Sequence, residues 1–167
     1  MTAESGPVTA SVARLEDLPS LAGQPLRGDW FAIEPRMLGM FATATYVDPN
    51  AKFSPDSAFP PGLVEGLHFL AVAEHRVVQM IWVAQAGVLA WLYGLERVRF
   101  IAPVLAGDRM RLRGDVAEVH PKPGGHVVRL ALEAELEGAE KPAFVADFLL
   151  YLTAEDSSPR GSGAESR

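Results

Sequence analysis

Cysteine is absent from this sequence of 167 residues, which excludes a disulfide framework, a thiolate nucleophile and a cysteine metal site. Long apolar runs are missing too. None reaches the roughly eighteen residues that a membrane span needs, because Glu65, Glu74, His75 and Arg76 interrupt the longest candidate, so a soluble protein is expected. Positive charge is scarce: 15 Lys and Arg against 21 Asp and Glu give a net charge of −6, which argues against a nucleic-acid surface built to displace phosphate counterions. The first residues lack a positively charged start followed by an apolar core, so no secretory signal is read and a cytoplasmic location is the default. No glycine-rich phosphate loop occurs, since Gly124-Gly125 reads as a hairpin turn. Beyond Glu65 and His68 no pair shows metal-ligand spacing. Neither a metal nor another cofactor is therefore expected.

The most informative stretch is Phe59 to Trp82, FPPGLVEGLHFLAVAEHRVVQMIW. Two prolines and a glycine open it, and about five turns of mostly apolar residues follow without a breaker, which predicts a central helix buried on most of its circumference. On a helical wheel Leu63, Leu67, Leu70, Ala71, Val77, Val78 and Ile81 share one face, and Glu65, His68, His75, Arg76 and Gln79 the other. That polar stripe begins in the first turn, where unpaired N–H groups and the helix dipole favour a partly negative oxygen such as a polarised carbonyl.

Around the helix the chain divides simply. Residues 1–26, rich in Ala, Ser, Gly and Pro, read as a loosely attached arm, residues 27–153 as one domain, and residues 154–167 as a disordered polar tail. Pro35 suits the first turn of a short helix running through Met37, Leu38, Met40, Phe41 and Ala44. Tyr46 to Ala58 is a structured loop, having two prolines, two aspartates and an asparagine. Extended segments follow from Val88 to Val104, from Met110 to Val119, from Val128 to Leu136 and from Phe144 to Leu152, the middle pair with period-2 alternation. The order predicts an α+β fold in which an antiparallel sheet wraps the central helix, the hotdog arrangement, whose sheet edges commonly pair in a dimer.

Three patches then resemble the MaoC-like hotdog proteins, a family that includes R-specific enoyl-CoA hydratases and 3-hydroxyacyl-thioester dehydratases. They are Phe41 to Asn50 (FATATYVDPN), Phe59 to Leu67 (FPPGLVEGL) and Leu95 to Asp108 (LERVRFIAPVLAGD), the last resembling the family's Phe-x-x-Pro-Val-x-x-Gly-Asp strand and turn. The resemblance implies that Asp48 corresponds to the catalytic Asp of the family's hydratases. Phe53 and Glu65 stand at the two positions where that family carries His, so neither expected imidazole is present. Its implied substrate is an acyl thioester bound to CoA or a carrier protein, and its implied assembly a homodimer or a heterodimer with a related subunit.

Three functional readings follow. In the favoured one, a dehydratase-like lyase or cyclase, of a kind suited to secondary metabolism, uses Asp48 and Glu65 as paired carboxylates in unequal environments. His68, one turn from Glu65, then carries a proton or orients the Glu. The backbone N–H of Gly66 or Leu67 holds the developing enolate oxygen, while Asn50 and Phe53 line the substrate side. The second reading is a non-catalytic acyl binder or partner subunit of a paired dehydratase, for which Phe53 suits an apolar tunnel. The third is a hotdog thioesterase. Each residue also has a purely structural role open to it: Asp48-Pro-Asn50 as an ordinary turn, Glu65 as a helix-dipole partner, His68 as a packed imidazole.

Overall fold

A computed structural model describes residues 6–45 and 60–155. Its main element is an antiparallel sheet whose long strands are β5 (Val88–Phe100), β6 (Arg109–Lys122), β7 (Gly125–Leu136) and β8 (Phe144–Ala154), in the spatial order β6-β7-β8-β5. Two short strands, β2 (Pro25–Arg27) and β3 (Phe31–Ala32), pair with the other edge of β6. Alternation decides which face is which. Met110, Leu112 and Val116, then Val128, Leu130, Leu132 and Ala134, point into the core, joined from β8 by Phe144, Ala146, Phe148 and Leu150. The intervening residues carry charge on the outer face, where Arg111 opposes Glu135 and Arg113 opposes Glu133 in register, with N···O separations of 2.9 and 2.5 Å. Such directly opposed pairs help fix register between strands.

Two helices accompany the sheet. The first, α1 (Pro35–Ala44), has Pro35 in its opening turn and Glu34 at its N-cap, as the sequence predicts. The second, α2 (Gly66–Val77), is the central helix, and the sheet wraps it in the hotdog arrangement. Phe69 of α2 meets Phe144 of β8 edge to face at 4.7 Å. At twelve residues the helix is shorter than the sequence pattern suggests. A turn closes after Val77, and Ile81–Val83 leaves the helix as strand β4, paired in parallel with β1 (Ala10–Val12). The run Ile81-Trp82-Val83 is β-branched and aromatic, so it takes the extended form once a partner strand exists.

That partner comes from the stretch expected to be a loose arm, which is a correction to the sequence reading. From Val8 onward the chain is built into the fold. Val8 bridges Arg27, β1 holds β4, and a 3₁₀ helix over Leu15–Leu21 buries Leu18 and Leu21 completely. Leu15, Leu18 and Leu21 recur every third residue, the spacing that aligns side chains along one face of a 3₁₀ helix. Of the expected tail, residues 154–167, Ala154 ends β8 and Glu155 N–H donates to the Gly87 carbonyl at 2.7 Å, while the rest lies outside the described residues. Among the described residues no helix is long and apolar enough to cross a membrane.

Candidate active site

Pro60, Pro61 and Gly62 carry the chain into α2 alongside the segment that follows β5. Val64 N–H donates to the Val104 carbonyl at 2.9 Å, Ala106 N–H donates to Gly62 at 2.9 Å, and Leu63 forms a β-bridge with Leu105. Gly62 has φ 81, a conformation in which a side chain would be strained. These bonds tie the helix start to the end of the edge strand. Between the two lies an open cleft of about 630 Å³.

The described residues lining the cleft are almost entirely apolar. Leu63, Val64, Gly66, Leu67 and Phe69 come from the helix side, and Phe100, Ile101, Ala102, Pro103 and Val104 from the sheet side. None of these carries charge. Among the described residues, polarity at the cleft comes from the helix end. The Phe69 N–H is bonded to the Glu65 carbonyl at 3.0 Å, so the amides of Gly66, Leu67 and His68 precede the first intrahelical bond. They present donors at the positive end of the helix dipole.

The sequence-predicted site residues separate into three groups. Gly66 and Leu67 line the cleft, and the Leu67 side chain is 72% exposed. Glu65 is the N-cap residue of α2, with its side chain exposed and making no cap hydrogen bond. Asp48, Asn50 and Phe53 lie outside the described residues.

His68 departs from the wheel. Rather than sharing an open polar stripe, it is only 4% exposed. The cause is α1: the Phe41 ring stacks flat on the imidazole, centroids 4.3 Å apart and planes 3° from parallel. Burial pushes the His68 pKa below its ordinary value, and the nearby Glu65 carboxylate opposes that shift. The neutral imidazole is thereby favoured at neutral pH. The apolar face also sits differently, since Phe69, Leu70, Ala73 and Val77 are buried while Leu67 and Ala71 look outward with His75. A wheel with two apolar arcs does not say which one meets the sheet. Sequence reasoning assigned no site role to Phe100 or Ile101, although both stand in the Phe-x-x-Pro-Val patch. No cluster of three or more metal-ligating side chains occurs among the described residues.

Comparison with known proteins agrees with the fold. Residues 18–136 match the MaoC-like domain. Over 146 residues the chain is 31% identical to the 3-hydroxyacyl-thioester dehydratase Z of Mycobacterium tuberculosis, an alignment covering 83% of this chain and 95% of that relative. Among solved structures, the monoamine oxidase regulatory protein from Archaeoglobus fulgius superposes with a TM-score of 0.68 at 20% identity, covering 89% of this chain and 98% of that one. The (R)-hydratase from A. caviae involved in PHA biosynthesis superposes with a TM-score of 0.57 at 17% identity, covering 77% and 94%.

Proposed function

This chain belongs to the MaoC-like domain family, and on that premise we propose that it is a hydro-lyase that removes water from a 3-hydroxyacyl thioester or adds it to the 2-enoyl partner. One observation carries the reading: an apolar cleft is lined by Gly66 and Leu67, whose N–H groups precede the first intrahelical bond of α2, next in sequence to Glu65 at the N-cap. The acyl chain lies in the cleft with its thioester carbonyl at the helix start. There the N–H of Gly66 or Leu67 donates to the carbonyl oxygen, and that bond strengthens as the oxygen takes on enolate charge. A relative named as a 3-hydroxyacyl-thioester dehydratase, aligned over nearly its whole length, supports the same substrate class.

In the dehydration direction a carboxylate takes the proton α to the carbonyl. The β-hydroxyl then receives a proton and leaves as water as the carbon–carbon double bond forms. Glu65 and Asp48 divide these transfers, in place of the Asp and His of the family's hydratases. His68, held by the Phe41 stack and biased toward its neutral form, is a positioning residue for Glu65. In the same proposal Asn50 is a hydrogen-bond donor that keeps one carboxylate ionised and Phe53 a substrate-side apolar residue; both lie outside the described residues. The working unit is two copies paired along β5, which ends the sheet, because such pairing removes an exposed strand edge.

The test is hydration of a crotonyl thioester, together with loss of water from its 3-hydroxy partner. Glu65→Gln and Asp48→Asn should each lower kcat/KM by about a hundredfold or more while the protein stays folded. Unchanged activity in both variants removes the carboxylate mechanism. The apolar lining among the described residues also fits an acyl binder that does no chemistry. No conversion in either direction, alongside measurable acyl-thioester binding, selects that second reading.

A further inference from the structure

Phe100 is the last residue of β5, and its ring does not simply lie on the surface. The ring edge rests on the first residue of α2. A Cβ built on Gly66 would come 2.6 Å from Phe100 Cζ, 2.7 Å from Cε2 and 3.0 Å from Cε1, closer than any side chain tolerates. Beneath it, the Phe144 ring makes an edge-on contact at 6.4 Å and 63° and is itself fully buried. Phe144 in turn meets Phe69 of the helix. Phe100 therefore has a rigid support on one side and the open cleft on the other, where it remains 53% exposed.

We infer that Phe100 is the wall that sets how long an acyl chain the cleft accepts, and that position 66 is glycine because this ring occupies the space of a side chain. The inference rests on the reading that the cleft holds the acyl group of a thioester. Along the described walls of the cleft, which carry no charged side chain, the acyl chain is discriminated by length and bulk. Of its walls, Phe100 is the one whose large side chain bridges the strand end and the helix start. Removing the ring opens the space between Gly66 and Phe144. A methyl group at position 66 acts in the opposite sense, pushing the ring into the cleft. The atoms that must yield there belong to the far end of a side chain and not to backbone, so the fold accommodates the change at the expense of cleft volume.

The experiment measures affinity for saturated acyl-CoA thioesters from butyryl to dodecanoyl by titration calorimetry. These ligands have no hydroxyl to lose and no double bond to hydrate, so the readout is independent of turnover. For the wild-type protein affinity should rise about fourfold per methylene, the factor that corresponds to ~0.8 kcal/mol per buried CH₂, and level off where the chain meets the ring. Phe100→Ala should move that plateau to longer chains and Phe100→Leu by less. Gly66→Ala should move it to shorter ones, and the Gly66→Ala/Phe100→Ala double variant should regain the long-chain preference. Circular dichroism checks that each variant is folded. A plateau at the same length in all folded variants overturns the inference, as does the absence of binding at any length. If the length profile behaves as stated while neither hydration nor dehydration occurs, the lyase reading falls and the wall stands. Turnover with an unmoved profile removes the wall and keeps the lyase.

Discussion

Asp147 is the carboxylate on the outer face of the sheet that is most deeply buried among the described ion pairs, and its removal is expected to cost about 3 kcal/mol of stability. The side chain is 5% exposed and takes the Arg97 guanidinium in a two-bond grip, Nε to Oδ2 at 2.8 Å and Nη2 to Oδ1 at 2.9 Å. Arg129 approaches from β7, its Nε 3.7 Å from Oδ2, buried and without a hydrogen bond of its own. Removing one partner of a buried pair costs roughly 3–5 kcal/mol. The low end applies to Asp147→Ala because Arg97 is 65% exposed and returns to water, whereas Arg129 keeps Glu118 at 3.1 Å but loses a neighbour that compensates its half-buried charge. For a chain of this size the loss corresponds to a melting point lower by roughly 6–12 °C. Urea unfolding followed by tryptophan fluorescence measures it, with Glu133→Ala as the control. The partner of Glu133, Arg113, is 53% exposed, so that variant should lose only about 0.5 kcal/mol. Equal losses in the two variants, or a loss below about 1 kcal/mol at Asp147, would refute the reasoning.

His68 predicts a pH dependence of stability. Its folded pKa lies below the ordinary imidazole value of 6.5. At pH well above 6.5 both folded and unfolded states hold it neutral, and it contributes no slope. As pH falls through 6.5 the unfolded chain takes up a proton that the folded chain refuses, so stability is lost down to the folded pKa. His68→Phe retains a ring against Phe41 and should flatten that part of the curve relative to wild type; identical curves would reject the assignment. The proposed pairing along β5 predicts a dimer in sedimentation velocity at micromolar concentration, and a monomer there would reject it.

The sheet was legible in the sequence because one physical rule governs each position. Val128-Arg129-Leu130 and the residues after them alternate so regularly that only one register buries every apolar side chain. The edge strand is less regular. Arg97 stands at φ 50 within the register shift between Glu96 and Arg99 and bonds Asp147, and no local pattern announces an irregularity that meets a carboxylate fifty residues away. The same limit explains the other differences. Ile81–Val83 looks helical until β1 arrives to pair with it, and the arm looks loose until Leu18 and Leu21 find the core. Near the cleft, Pro60-Pro61-Gly62 announced a helix start, but α2 begins only at Gly66, so Glu65 is its N-cap and not part of its first turn. His68 was read as the open side of the helix because the ring that covers it, Phe41, belongs to another element.

In the proposed chemistry, the position of Glu65 at the N-cap constrains how the helix can help. When Glu65 takes the α proton, one negative charge leaves its carboxylate and one appears on the thioester oxygen, both beside the same helix end. The dipole therefore meets about the same charge before and after the transfer, and an interaction equal in ground and transition states gives no acceleration. Only groups that touch the oxygen directly distinguish the two states. Those are the amides at the start of α2, whose hydrogen bonds strengthen as enolate charge develops. In that proposal the helix would contribute through the placement of the Gly66 and Leu67 N–H groups and not through its dipole as a whole. That placement is fixed by the Val64 to Val104 and Ala106 to Gly62 bonds that hold the helix start against the strand end.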